Sequence, residues 1–341
     1  MDGVTPPAPP LPVPLSLLDR SRTRAGEDHG AALHATIERA VRAEALGYHR
    51  FWVAEHHAVP GIASGAPTLL VAAVAGRTTR IRVGTGGVML PNHRPLVVAE
   101  QMAMLEALHP GRIDLGVGRS LGFTAPVRAA LGVEAYEPDA FGRDIAAVRA
   151  YLAGTGPVTA MPALDHAPPV LVLATGRGLE VAAGLGLPVV VGGPLLRSDL
   201  APLARYRRDF RASEACREPY VIISLEVMVA GTREGARDLL LPEAWAMAAS
   251  RSTGAFPPLE PVAAVTARTL TDKQRSTVEA TLAGAVYGTA EEVTTELGTL
   301  IERTGADEVM ASTSTYDRAE LARADVALAA LFLPTGGIGT A

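Results

Sequence analysis

Phe51-Trp52-Val53-Ala54-Glu55-His56-His57 is the stretch whose reading decides the fold. Its apolar and aromatic first half has the composition of a buried strand, and its second half sets a carboxylate beside two imidazoles. Three ionisable groups at the end of an apolar strand are costly unless they are paired or used. In an α/β barrel the C-terminal strand ends are where catalytic side chains collect.

Working outward, the same alternation of strand and helix recurs on both sides. Upstream, a proline-rich segment without lysine or arginine runs to about Pro12. It predicts a mobile arm over residues 1–12 rather than a signal peptide, with a first strand over 13–18. Residues 29–46 carry apolar positions at helical spacing, and Gly47 supplies the stop. Downstream, Pro67 opens a helix, 80–85 reads as the third strand, and Pro95 opens another helix. Residues 112–117 give the fourth strand, and Asp139 is placed to cap a helix running to Tyr151. Strands five, six and seven fall at 169–174, 189–191 and 220–229, with helices to Leu185 and from Leu196. A longer helical stretch over about 232–285 is interrupted by Phe256-Pro257-Pro258. Thr271 with Gln274, and Thr289 with Glu292, have capping-box spacing. Residues 307–311 give the eighth strand, and a last helix starts at Asp317. Eight strands alternating with helices predict the α/β class: one (β/α)8 TIM barrel over 13–335, with an insertion after strand 7. A doubly wound open sheet is the rival arrangement.

Composition narrows the function. A hydrophobic fraction of 48% supports a large core, while a net charge of −5 and 4% aromatic residues argue against a nucleic-acid platform. The basic run Arg205-Tyr206-Arg207-Arg208 reads as a solvated helix face. A single cysteine, Cys216, leaves no disulfide framework and no cysteine zinc site. No apolar run has membrane-spanning length, so no membrane partner and a cytoplasmic location are expected.

Glu55, His56 and His57 admit three readings. Adjacent strand residues point to opposite faces, which argues against one metal ion shared by the two histidines. Buried structural histidines would need partners, and Glu55 is one. An active-site edge puts an imidazole at the barrel mouth, where it can move protons near neutral pH. Position favours the third reading, with Glu55, His56 and His57 as catalytic candidates and no metal. Glycines also gather at strand ends: Gly84, Gly86 and Gly87; Gly116 and Gly118; Gly176 and Gly178. The Gly176-Arg177-Gly178 turn opens a helix whose amides suit a phosphate, and Arg119 stands at the end of strand four. Val181 falls where a dinucleotide fingerprint needs its third glycine, so a mononucleotide fits better than NAD.

These segments resemble the bacterial luciferase-like, flavin-dependent monooxygenases. The resemblance is carried by Phe51 to His57, by Pro60-Gly61-Ile62-Ala63-Ser64, and by Arg80 through His93. It continues from Pro95 to Arg119, and returns in Tyr287-Gly288-Thr289 and Gly305-Ala306-Asp307-Glu308-Val309-Met310. It is weaker over about 120–286. The resemblance implies a barrel that takes reduced FMN from a separate flavin reductase and uses O2. Oxygen adds at the flavin C4a position, and the hydroperoxide oxygenates a small organic substrate. His56 then resembles the histidine that handles a proton, with Glu55 beside it. Gly86-Gly87 resembles the pair behind the flavin ring, often joined by a non-proline cis peptide. Arg119, Thr175, Gly176, Arg177 and Gly178 resemble the phosphate site. It also implies a homodimer through the second and third helices, where Leu69-Leu70-Val71 and Leu96-Val97-Val98 offer apolar surface. A deazaflavin-dependent oxidoreductase is the alternative on the same fold, and a non-catalytic flavin-binding paralogue the alternative outside catalysis. Three departures stand out. Gly118 replaces the cysteine of luciferase, and Gly86-Gly87 replaces two alanines, which predicts more room behind the ring. The phosphate loop is one residue shorter, with Arg177 in place of hydroxyl ligands.

Overall fold

The structure, a computed structural model, describes residues 9–137, 139–174 and 176–332. In chain order its elements are β1 Leu15–Asp19, α1 His29–Ala45, β2 Arg50–Val53, α2 Pro67–Ala75, β3 Arg82–Met89, α3 Pro95–Leu108 and β4 Ile113–Gly118. Then come α4 Ala125–Leu131, α5 Ala140–Leu152, β5 Val170–Leu173, α6 Arg177–Leu185, β6 Val189–Gly192, α7 Ala201–Asp209 and β7 Val221–Leu225. The chain continues with β8 Val227–Val229, α8 Arg233–Thr253, α9 Val262–Thr266, α10 Asp272–Ala283, β9 Val286–Gly288, α11 Ala290–Thr304, β10 Glu308–Ala311 and α12 Arg318–Ala329. Eight strands close in the order β1-β10-β7-β6-β5-β4-β3-β2, every neighbour parallel. This is the (β/α)8 barrel expected, and the open-sheet rival is excluded.

The barrel interior is organised by Trp52, which is fully buried with Leu171, Val190, Ile222 and Met310. So large an indole fits because β3 and β4 present glycines to it. A Cβ at Gly84 would lie 2.6 Å from the indole nitrogen, and one at Gly116 would lie 2.9 Å from the ring. Truncating a side chain held this way costs about 3–5 kcal/mol. Below it, at the N-terminal strand ends, the floor is a closed ionic layer. Asp114 accepts from Arg50 at 2.8 Å, Arg82 at 2.6 Å and Trp52 at 3.0 Å. Glu308 accepts from Arg50 at 3.1 Å, Tyr220 at 2.9 Å and the Ser16 hydroxyl. The larger apolar core lies outside the strands, between them and the helices.

Four sequence expectations need correction. The seventh strand is two: β7 ends at Leu225, and β8 pairs with β9 outside the barrel. The break falls at Glu226, whose carboxylate is drawn to Arg20 while its carbonyl accepts from the Val286 amide at 2.9 Å. Thr313 brackets Val227 from the other side, at 2.7 Å to its amide. Asp139 does not cap α5; its carboxylate pairs instead with Arg177 at 3.0 Å. The helix expected from Leu196 starts at Ala201, after a 3-10 turn. The proline-rich segment is anchored by Leu11, which is buried and donates its amide to the Leu331 carbonyl at 2.8 Å. Residues 1–8 of that segment lie outside the description.

Both capping boxes are formed, at Thr271–Gln274 and Thr289–Glu292. The insertion packs α8, α9 and α10 around its own apolar cluster, including Leu240, Trp245 and Val278. A second cluster, Val59, Ile62, Ala246, Phe256 and Leu259, fastens it over the loop that follows β2. Among the described residues, no helix is long and apolar enough to cross a membrane.

Candidate active site

The site is built where β2 ends. β2 ends at Val53, and beyond it the Ala54 amide donates to the Asp19 carbonyl at 3.1 Å and the His56 amide to the Ser64 carbonyl at 2.8 Å. Glu55 turns inward and is buried. Its Oε1 lies 2.7 Å from His57 Nε2 and accepts from Asn92 Nδ2 at 3.2 Å. Its Oε2 lies 2.9 Å from His93 Nε2 and accepts the Met89 amide at 3.0 Å. Burial opposes ionisation of Glu55, but the hydrogen bonds from His57 and His93 outweigh it and hold the carboxyl at about 2. A carboxylate so saturated is a fixed anion that ties β2 to the segment after β3.

His56 has a different environment. Its Nδ1 is buried without a hydrogen-bond partner among the described residues. Burial, reinforced by the charges of Arg20 and Arg22, lowers its pKa to about 4 against the pull of Glu55 and Glu243. The ring is therefore neutral at physiological pH, with one nitrogen able to donate and the other to accept. Phe123, in the loop after β4, stacks on it with centroids 5.7 Å apart and planes at 12°. Phe256 from the insertion meets Phe123 edge-on at 5.4 Å, and the Arg22 guanidinium lies 5.7 Å over Phe256. Phe123 remains 49% exposed.

Behind this aromatic pair lies a buried ionic group. Arg20 pairs with Glu226 and, at 3.3 Å, with Glu243; Arg22 pairs with Glu243 at 2.8 Å. Burial and the nearby Glu243 carboxylate push Glu226 upward against Arg20, while the two guanidiniums hold Glu243 down. Glu226 Oε2 and Arg20 Nε are buried without partners.

The glycine pair after Thr85 interrupts the β3–β4 register, and the Gly86–Gly87 peptide is cis. The extra room expected there is absent. A Cβ on Gly87 would lie 2.7 Å from the Gly116 carbonyl oxygen, and one on Gly86 would meet Leu18 and Trp52. A Cβ at Gly118 would meet the flexible end of Met89, its sulfur at 2.7 Å, so a larger residue there requires Met89 to move. Arg119 follows directly on β4 and has no hydrogen-bond or ion-pair partner among the described residues. Strands β4 and β5 are neighbours, so Arg119 and the Gly176–Gly178 start of α6 belong to adjacent strand ends. Arg177 lies in an exposed pair with Asp139, and Thr175 lies outside the described residues.

Of the three contiguous candidates, the structure pairs Glu55 with His57 and turns His56 toward Phe123. The sequence reading missed Asn92 and His93, Glu226 and Glu243 with Arg20, and the pair Phe123 and Phe256. The polar Asn92-His93 directly after a glycine-rich strand was the one available signal.

Fold and site define a TIM-barrel enzyme whose polar machinery is gathered at the C-terminal strand ends. The sequence profile of the luciferase-like monooxygenases matches residues 13–308, and the chain belongs to that family. A protein of Escherichia coli K12 named luciferase-like monooxygenase is 32% identical over 313 residues, 89% of this chain and 92% of its own. The N-acetyl-S-alkylcysteine monooxygenase of Bacillus subtilis is 50% identical over 108 residues, 32% of each chain. The crystal structure of apo-MsnO8 superposes with a TM-score of 0.83 at 31% identity, covering 94% of this chain and 98% of that one. The same fold at lower identity occurs in a type II Baeyer-Villiger monooxygenase from Pseudomonas putida in complex with FMN (17%, TM-score 0.71, 94% and 99% covered). It occurs also in an F420-dependent secondary alcohol dehydrogenase (18%, TM-score 0.65, 93% and 98% covered).

Proposed function

We propose that this chain is the oxygenating component of a two-component monooxygenase, working in the cytoplasm on reduced FMN delivered by a separate reductase. O2 is the co-substrate and a small organic molecule the acceptor. The observation that carries the reading is the orphaned His56 Nδ1, a buried imidazole nitrogen at the barrel mouth. Buried polar atoms of this kind are rare unless a ligand or water completes them. The residues present fit a flavin mononucleotide. Unpaired Arg119 and the amides opening α6 suit its phosphate, and the bare glycine backbone suits a flat ring. Bound FMN would supply the electron transfer and oxygen activation that no side chain here offers.

The chain's own part is then placement, shielding and one proton. His56, neutral and desolvated, holds or delivers a proton through the nitrogen not engaged elsewhere. Glu55 does not titrate; it fixes His57 and the 89–93 segment that frames the mouth. Phe123 covers one face of His56, and Phe256 braces Phe123 edge-on. The titration that tests this uses purified, reductase-free protein. It should bind reduced FMN anaerobically and show no NADH oxidation until a flavin reductase is added. With labelled dioxygen and a cell extract, one labelled oxygen should then enter an organic product. Binding of F420 with no affinity for FMN, or NADH–FMN turnover by the chain alone, would overturn the reading.

A homodimer belongs to the same proposal. Of the residues expected to offer apolar surface, Leu70, Val71 and Val98 are buried in the core, whereas Leu69 and Val97 are exposed, and Met104 and Leu108 of α3 are exposed as well, Leu69 and Leu108 by 73% and 67%. Apolar side chains grouped in this way favour a covering partner. Sedimentation should give a dimer at micromolar concentration, and Leu69→Glu should shift it toward monomer.

A further inference from the structure

His56 and His57, adjacent at one strand end, turn to different surroundings, His57 to Glu55 and His56 to Phe123. The structure pairs His57 with a different imidazole. His93, carried in by the segment after β3, reaches the opposite oxygen of Glu55, and the two rings lie 6.4 Å apart at 47°. We propose that Glu55, His57 and His93 form a binding site for a borderline divalent cation, Zn2+ or Co2+, at the barrel mouth.

Geometry supports this on three counts. The ligand atoms of all three residues lie within 4.8 Å of one another. The carboxylate is fully buried, whereas the histidine side chains are 21% and 26% exposed, so the cation has an entry path and open positions for water. The outer partners are in place as well. The Met89 amide and Asn92 Nδ2 each hold one Glu55 oxygen, as is usual for ligating carboxylates. Two imidazoles with one carboxylate suit zinc-like ions, whereas magnesium and calcium prefer sites made wholly of oxygen.

Without a cation, each Nε2–H is free to hydrogen-bond to Glu55. With one, each neutral ring carries its proton on Nδ1 and gives the Nε2 lone pair to the metal. No proton need be lost, and no redox partner is required. The cation would replace two hydrogen bonds by three coordinate bonds and lock the 89–93 segment to the end of β2. The site shares Glu55 and His57 with the proposed catalytic mouth, but cation uptake is read without flavin, so its failure is distinguishable from that of the oxygenase reading.

The test uses the full chain stripped of metal by chelator. Zn2+ binding is followed by calorimetry, and Co2+ binding by its visible d–d absorption. Wild type should take up one cation with micromolar affinity and give an intense, low-symmetry Co2+ spectrum. His93→Ala and the gentler His93→Gln should each weaken binding by more than about 100-fold. Asn92→Ala, which removes only an outer hydrogen bond, should cost about 10-fold. His166→Ala, on the exposed surface, should change nothing. Circular dichroism on every metal-free variant separates loss of a ligand from loss of the fold. No saturable uptake by wild type up to millimolar Zn2+, or uptake that survives both His93 replacements, would overturn the site. The three residues would then be a hydrogen-bonded clamp only.

Discussion

The two ends of the barrel are built from the same residue types and treat them differently. At the floor, Arg50, Arg82, Asp114, Glu308, Tyr220 and Ser16 form a closed set in which both buried carboxylates have several donors. At the mouth, Arg20, His56, Asn92, Glu226 and Thr315 each leave one buried polar atom without a partner. The remaining such atom among the described residues, Glu106 Oε2, belongs to α3 outside the barrel. A satisfied ionic layer specifies a structure, and an unsatisfied one holds polar capacity in reserve for something that arrives later. The floor therefore reads as architecture and the mouth as chemistry.

That contrast breaks if function fails to follow the orphaned atoms. His56→Ala should leave the fold and FMN affinity nearly intact, yet lower oxygenated product about 10²–10⁴-fold, the usual loss for a proton-handling group. The measurement is product formed per reduced flavin consumed, on protein shown to be folded. Wild-type coupling in the variant would remove His56 from the mechanism.

The floor should answer in stability instead. Asp114→Ala leaves Arg50 and Arg82 facing a buried gap, and breaking a buried pair by removing one partner costs about 3–5 kcal/mol. The denaturant midpoint should fall accordingly, while turnover per folded molecule stays near wild type. A variant as stable as wild type would mean that the layer is dispensable.

A smaller effect sharpens the comparison at the phosphate end of the mouth. A charged hydrogen bond is worth about 1.5–3 kcal/mol, so Arg119→Ala should weaken FMN binding roughly ten- to a hundredfold. Riboflavin, which lacks the phosphate, should lose much less. Arg177 starts from an exposed pair with Asp139, so its replacement should matter less than that of Arg119. Equal losses for FMN and riboflavin would assign Arg119 to packing.

The smallest effect is the acid limit. Burial resists ionisation of Asp114, but Arg50 and Arg82 hold its carboxyl below the ordinary range; Arg39 does the same for buried Asp19. A depressed folded-state pKa contributes stability that is complete above the unfolded value and lost as pH falls through the folded one. Stability from these two groups should thus be constant from neutrality to about pH 4 and decline only below it. A fall traceable to Asp114 that begins near pH 6 would contradict the pairing.

What was legible in the sequence follows from range. Strands such as 189–191 and helices such as Pro95–Leu108 announce themselves through local composition, and the two capping boxes through local spacing. The break at Glu226 was not legible, because it depends on Arg20 and Thr313, which lie far away in sequence. Asp139 misled because its backbone is already helical, at φ −95° and ψ −3°, and its side chain makes no cap bond. In the site, Glu55 and His57 stand two residues apart, so their pairing lies within local range. His93 reaches the same carboxylate across 38 residues, and only the pairing of β2 with β3 brings it there.

The indole at the centre of the barrel has a practical consequence. The chain has two tryptophans, and the fold separates them. Trp52 is enclosed among strands and donates to Asp114, whereas Trp245 sits in the insertion, donating to Glu260 at 3.2 Å under the Arg268 guanidinium. Ultraviolet-excited emission therefore carries two addresses, one for the barrel and one for the cover above it. A Trp245→Phe chain would shine only from the barrel, and subtracting its trace from wild type would isolate the cover. Melting curves recorded in this way would show whether the cover detaches before the barrel comes apart, with no dye or label attached.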